Sequence, residues 1–96
     1  MQGNNDHQVA ATMYRELKTL QDRILMMTRQ AAVAITLDNR DIALASIDQI
    51  EHDLKALSEL PTRYHALTAQ QQSFVRDFYF HYRELPPALN REKREG

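Results

Sequence analysis

Apolar residues recur early in the chain at Met13, Leu17, Leu20, Ile24, Met27, Ala31 and Ala34, in alternating steps of four and three. Steps that average 3.5 residues keep one face of an α-helix apolar over successive heptads. The pattern predicts a first helix over about 6–37. Tyr14, Leu25, Val33 and Ile35 widen the stripe, as a helix packed in a bundle requires. Roughly 30 residues at 1.5 Å rise give a rod of about 45 Å, which needs a packing partner along much of its length.

The periodicity breaks at Leu37-Asp38-Asn39, where Asp38 or Asn39 is suited to cap a second helix over 40–60. Ile47, Ile50, Leu54 and Leu57 form its stripe, extended backwards by Ala43 and flanked by Ile42 and Leu44. So short a link between matching heptads predicts an antiparallel hairpin, with Leu20, Ile24 and Leu54 buried in its seam. Pro61 ends or kinks the second helix, and 62–67 reads equally as a helical turn or an irregular link. Thr68 followed by Gln71 is a capping box for a third helix over 69–84. Its stripe is Phe74, Phe78, Tyr82 and Leu85, with Val75 and Tyr79 beside it, and Pro86-Pro87 stops it. The expected fold is all-α: a long antiparallel helical hairpin plus a third, aromatic-rich helix, in a small helical bundle. It forms one domain over 1–96, with frayed tails at 1–6 and 88–96.

Composition narrows the chemistry. The net charge is −1, which gives no bulk electrostatic drive toward nucleic acid or anionic membrane. Glycine occurs only at Gly3 and Gly96, which argues against hairpin-rich β structure. The chain has no cysteine, so a disulfide scaffold, a thiolate zinc site and cysteine catalysis are excluded. The polar start from Met1 to His7 shows no secretory signal, and the longest apolar run, Ala31 to Ile35, is too short to span a bilayer. A cytoplasmic location is expected.

Candidate catalytic and metal chemistry is thin. Asp48 and His52 are four apart, as are Asp77 and His81. Two such pairs brought together suit a transition metal, whereas alone they are surface side-chain pairs, the reading preferred here. Ser46, Ser58 and Ser73 lie in ordinary helical sequence with no activating base in view. The acids of the second helix, Asp41, Asp48, Glu51, Asp53 and Glu59, scatter around it and read as a solvated face. That helix is acidic where the first carries Arg15, Lys18, Arg23 and Arg29, so the two are expected to attract along their flanks. An acidic face meeting a basic partner is the functional alternative. No enzyme activity, metal or cofactor is expected. A helix-turn-helix is also disfavoured, since the first helix is too long and Arg91, Lys93 and Arg94 are diluted by Glu92 and Glu95.

Aromatic residues carry the clearest functional hint. Phe74, Phe78, Tyr79, Phe80 and Tyr82 crowd more than one face of the third helix, and Phe80 points about 200° away from Phe78. Phe80 is therefore either exposed or covered by something outside the hairpin. The plain reading is a broad core face with one surface aromatic; the sharper one is that Phe80 with Tyr79, Arg76 and Arg83 makes a partner-binding surface or dimer interface, because Tyr, Phe and Arg are enriched at interfaces.

Leu17, Leu20, Leu25 and Met26, the break at Leu37-Asp38-Asn39-Arg40-Asp41, and the return from Ile42-Ala43-Leu44-Ala45-Ser46 to Leu57 carry a resemblance. This half of the chain resembles the small helical chaperones of bacterial flagellar and type III export, of the FliT kind. Arg40 stands in the turn where that family commonly has an aromatic residue. The resemblance implies an antiparallel hairpin, a cytoplasmic protein and binding of an export substrate or regulator. The leading function is thus a protein-binding helical adaptor, chaperone or regulator. A structural homo-oligomer, its hairpins paired into a four-helix bundle, comes second, and a nucleic-acid-binding regulator third.

Overall fold

A computed structural model describes residues 2–84, with the side chains of 5–81. The described residues are all-α: α1 spans Gln2–Thr36, α2 Arg40–Ser58, α3 Leu60–His65 and α4 Ala69–Glu84. Leu85, Pro86-Pro87 and the expected tail at 88–96 lie outside the described residues. The described residues divide into two compact units, one made of Arg15–Ala66, the other of the residues up to Tyr14 and those of 67–84.

The first unit is the hairpin. α1 ends in a turn that closes two backbone bonds, Asn39 N–H to Ala34 O at 2.8 Å and Asp38 N–H to Ile35 O at 3.1 Å. This is the bonding pattern of a Schellman cap, which places one residue in the left-handed region. Asp38 occupies it with φ 58°, a position usually filled by glycine. Asn39 then caps α2, its side chain accepting from Ile42 N–H at 3.3 Å.

Two side-chain bridges set the register of the hairpin. Arg23 grips Asp53 with two bonds of 2.8 and 2.9 Å, and Gln30 Nε2 donates to Ser46 Oγ at 2.9 Å. From Arg23 to Gln30 is one heptad forward, and from Asp53 to Ser46 is one heptad back, so the helices run antiparallel. Leu20, Ala31 and Ala34 of α1 are buried, as their heptad predicts, and Ile24 is half-buried.

On α2 the seam differs from the expected stripe. Ala43, Ser46 and Asp53 are buried, Ile50 and Leu57 half-buried, whereas Leu54 is 47 % exposed and Ile47 is exposed too. The helix is turned so that residues one position earlier, Ser46 and Asp53, face α1. Asp53 is 1 % exposed, not part of a solvated face. Burial of this carboxylate is possible because Arg23 and Gln49, the latter donating at 3.1 Å, satisfy both oxygens. Leu25, Val33 and Ile35, expected to widen the buried stripe of α1, are exposed, since two helices alone bury only the seam between them.

α2 stops at Ser58, earlier than expected. α3 begins at once, with Pro61 in its first turn where a missing N–H costs nothing. The open stretch 62–67 is thus helical as far as His65. α3 returns to α1 through Arg63, which donates to both carboxylate oxygens of Glu16 at 2.9 and 2.6 Å.

In the second unit, α4 is capped by the reciprocal pair read from the sequence. Gln71 N–H donates to Thr68 Oγ1 at 3.1 Å, and Thr68 N–H to Gln71 Oε1 at 3.0 Å. His7 meets the rings of Phe74 and Phe78 edge-on, each with centroids 4.9 Å apart, and Tyr14 lies 6.1 Å from Phe78. Gln71 also donates to Asp6 at 3.0 Å. Contacts that advance together along both helices make α4 parallel to the start of α1. They also tie down the opening turns of α1, and the helix starts at Gln2, inside the stretch 1–6 expected to fray. Ala10, Met13 and Val75 are buried here.

Candidate functional site

The hairpin leaves large apolar side chains uncovered on both of its flanks. At 100° per residue, Val33 and Ile35 diverge by about 200° around α1, and Ile42 and Leu44 do the same on α2. On the flank that also holds the Arg23–Asp53 and Gln30–Ser46 bridges, Met26, Val33, Leu37 and Ile42 are exposed, Leu37 to 72 %. Near the closed end they border a groove of about 680 Å³, floored by Ala34 and Ala45 and rimmed by Arg29, Gln30 and Asn39. The opposite flank exposes Leu25, Ile35, Leu44, Ile47 and Leu54, with a smaller groove of about 330 Å³ against Asp38 and Arg40. Small residues make these grooves: Ala31, Ala34 and Ala43 fill the seam near the turn, and the larger neighbours on either side stand up from it.

The electrostatics belong to the seam rather than to the grooves. The Arg23 guanidinium, bonded to the Asp53 carboxylate, holds its pKa below the ordinary value against the opposing effect of burial, with Gln49 assisting. Glu16 is likewise lowered by its bond to Arg63, and both arginines are held more firmly protonated. These pairs lock the hairpin; nothing in their geometry offers a nucleophile beside a free base.

The residues singled out from the sequence lie on α4. Phe80 is 49 % exposed, and the half-buried Tyr79 meets it edge-on with centroids 5.5 Å apart. Arg76 is exposed, while the side chain of Arg83 lies outside the described residues. The histidine–carboxylate pairs Asp48–His52 and Asp77–His81 are all exposed side chains. Among the described residues no group of three or more His, Asp or Glu is placed to hold a metal ion. Sequence reasoning missed the flanks of the hairpin. Their signal is a second apolar heptad on each helix, such as Met26 with Val33 on α1 and Ile47 with Leu54 on α2, which reads as extra width of a single stripe. It also gave His7 no role.

Compared with family models, with curated proteins and with solved structures, the chain matches none.

Proposed function

We propose that the protein is a cytoplasmic helical adaptor, a chaperone or regulator, that binds another protein through helix packing. One observation carries this reading: Val33, Leu37 and Ile42 stand exposed around the 680 Å³ groove. Contiguous apolar surface beside a concave floor is the form that receives the apolar face of a partner helix. Fully burying such a side chain contributes about 1.5–3 kcal/mol, and these three, already partly covered, supply a share of what a docked helix needs beside the rest of the groove. Arg29 at the rim would orient it by hydrogen bonding and favours a partner with a carboxylate at that end. No helix of the described residues is long and apolar enough to cross a membrane. The Phe80–Tyr79 pair on α4 is the competing surface.

The test is a pull-down from the native host, followed by titration of the captured, purified protein against variants. Val33→Asp and Ile42→Asp change exposed positions and should keep the helical circular dichroism and the melting curve. Each is expected to raise the Kd at least about tenfold, the loss of about 1.4 kcal/mol. Unchanged affinity in both, with affinity lost in Phe80→Ser, would move the site to α4 and overturn the groove.

A further inference from the structure

On the opposite flank of the hairpin, we propose that a second copy of this chain docks, two-fold related, α1 on its partner's α1 and α2 on its partner's α2, both antiparallel. The proposal uses residues separate from the partner groove, so either can fail without the other.

The exposed positions of that flank form a heptad ladder on each helix. On α1 it is Gln21, Leu25, Thr28, Ala32 and Ile35, all exposed and none charged. On α2 it is Arg40, Leu44, Ile47, Glu51 and Leu54, also exposed, with one cation and one anion. A surface ladder free of charge over two heptads is unusual for a solvated helix, whose outer face is normally polar.

Both ladders are self-complementary about the same level of the hairpin. An antiparallel pairing of α1 with its copy, centred at residue 30, sets Leu25 against Ile35 of the second copy and Thr28 against Ala32. Pairing α2 with its copy, centred midway between Leu44 and Ile47, sets Leu44 against Ile47. The same register sets Arg40 against Glu51, so the only two charges of the ladder meet with opposite sign, twice by symmetry. These centres coincide in space, because Gln30 is bonded to Ser46 across the seam. A single two-fold axis therefore satisfies both helices, as a closed isologous interface demands. An unrelated partner would have no reason to match two ladders centred on one level. The product is a four-helix bundle with Leu25, Ile35, Leu44 and Ile47 inside it.

The experiment is sedimentation equilibrium of the whole chain at roughly 100 µM and on dilution. A dimer is expected, and Ile47→Glu should make it monomeric with its helicity kept. Arg40→Glu and Glu51→Arg, each alone, set like charges together at both symmetric positions and should weaken the dimer about tenfold. Mixing these two variants should restore it, since each chain then supplies the charge the other lacks. An interaction within one chain cannot be rescued by mixing. A monomer at every concentration overturns the proposal. So does a dimer that Ile47→Glu leaves intact, or single charge reversals that mixing does not repair. A dimer dissolved by Val33→Asp instead would place self-association on the other flank and overturn it as well.

Discussion

Asp53 has the most demanding surroundings of any side chain in the hairpin: a carboxylate at 1 % exposure whose two oxygens take three hydrogen bonds, two from Arg23 and one from Gln49. Deleting one partner of a buried pair is costly because the other groups lose their acceptor and a void opens in the seam. Leu54, next along the chain, is half in water. We therefore expect Asp53→Ala to lower the thermal midpoint more than Leu54→Ala, which should cost about 1 kcal/mol or less in dilute solution. Melting curves of the two variants, followed by circular dichroism, decide it, and the opposite order would put Leu54 in the seam. Pattern reading favours Leu54 because it weighs each side chain by its own hydropathy. What reverses the choice is Arg23, 30 residues away, and no local spacing announces a partner at that distance. Leu20, Ala31 and Ala34 were readable because aliphatic burial needs no named partner.

At the scale of elements, the signals that were legible are those made between near neighbours. The Thr68–Gln71 capping box and the Asn39 cap each join residues three apart. Pro61 marked the end of α2, but its place inside the first turn of a further helix depends on the backbone of Glu59, at φ −87° and ψ −15°, a conformation residue types alone do not dictate. Exposure of the flanks was illegible for a different reason: a wide apolar stripe looks the same whether a third layer covers it or not. The turn between α1 and α2 offers its own test. Asp38 holds φ 58° at some cost, since a Cβ crowds the left-handed region. Asp38→Gly should stabilise the protein by about 0.5–1 kcal/mol, raising the midpoint by a few degrees, while Asp38→Val should lower it. Equal midpoints for the three would mean that the turn does not hold this geometry in solution.

For the molecule as a whole, acid is the condition that the ion pairs resist least. Glu16 and Asp53 are both held below their ordinary pKa by guanidinium bonds within the hairpin. The unfolded chain then binds protons at pH values where the folded one does not. Stability from these pairs is complete above the ordinary carboxylate pKa, about 4, and is lost as pH falls through the native values. The melting temperature should be flat from neutral pH to about 5 and decline below it, less steeply in Glu16→Gln than in the wild type; a midpoint rising on acidification would contradict the pairing. The Arg23–Asp53 bridge also discriminates between alignments of the two helices. Heptad ladders tolerate sliding, since a shift of one heptad lays apolar residues on apolar residues again. Sliding α2 by a heptad one way sets Asp53 beside Glu16, two carboxylates in a closing seam. Sliding it the other way sets Asp53 beside Gln30 and leaves Arg23 beyond the end of α2, with no carboxylate to meet. Either misaligned hairpin leaves the Asp53 carboxylate without its guanidinium in the closed seam, and the cost of that unpaired charge favours the native alignment over its one-heptad neighbours.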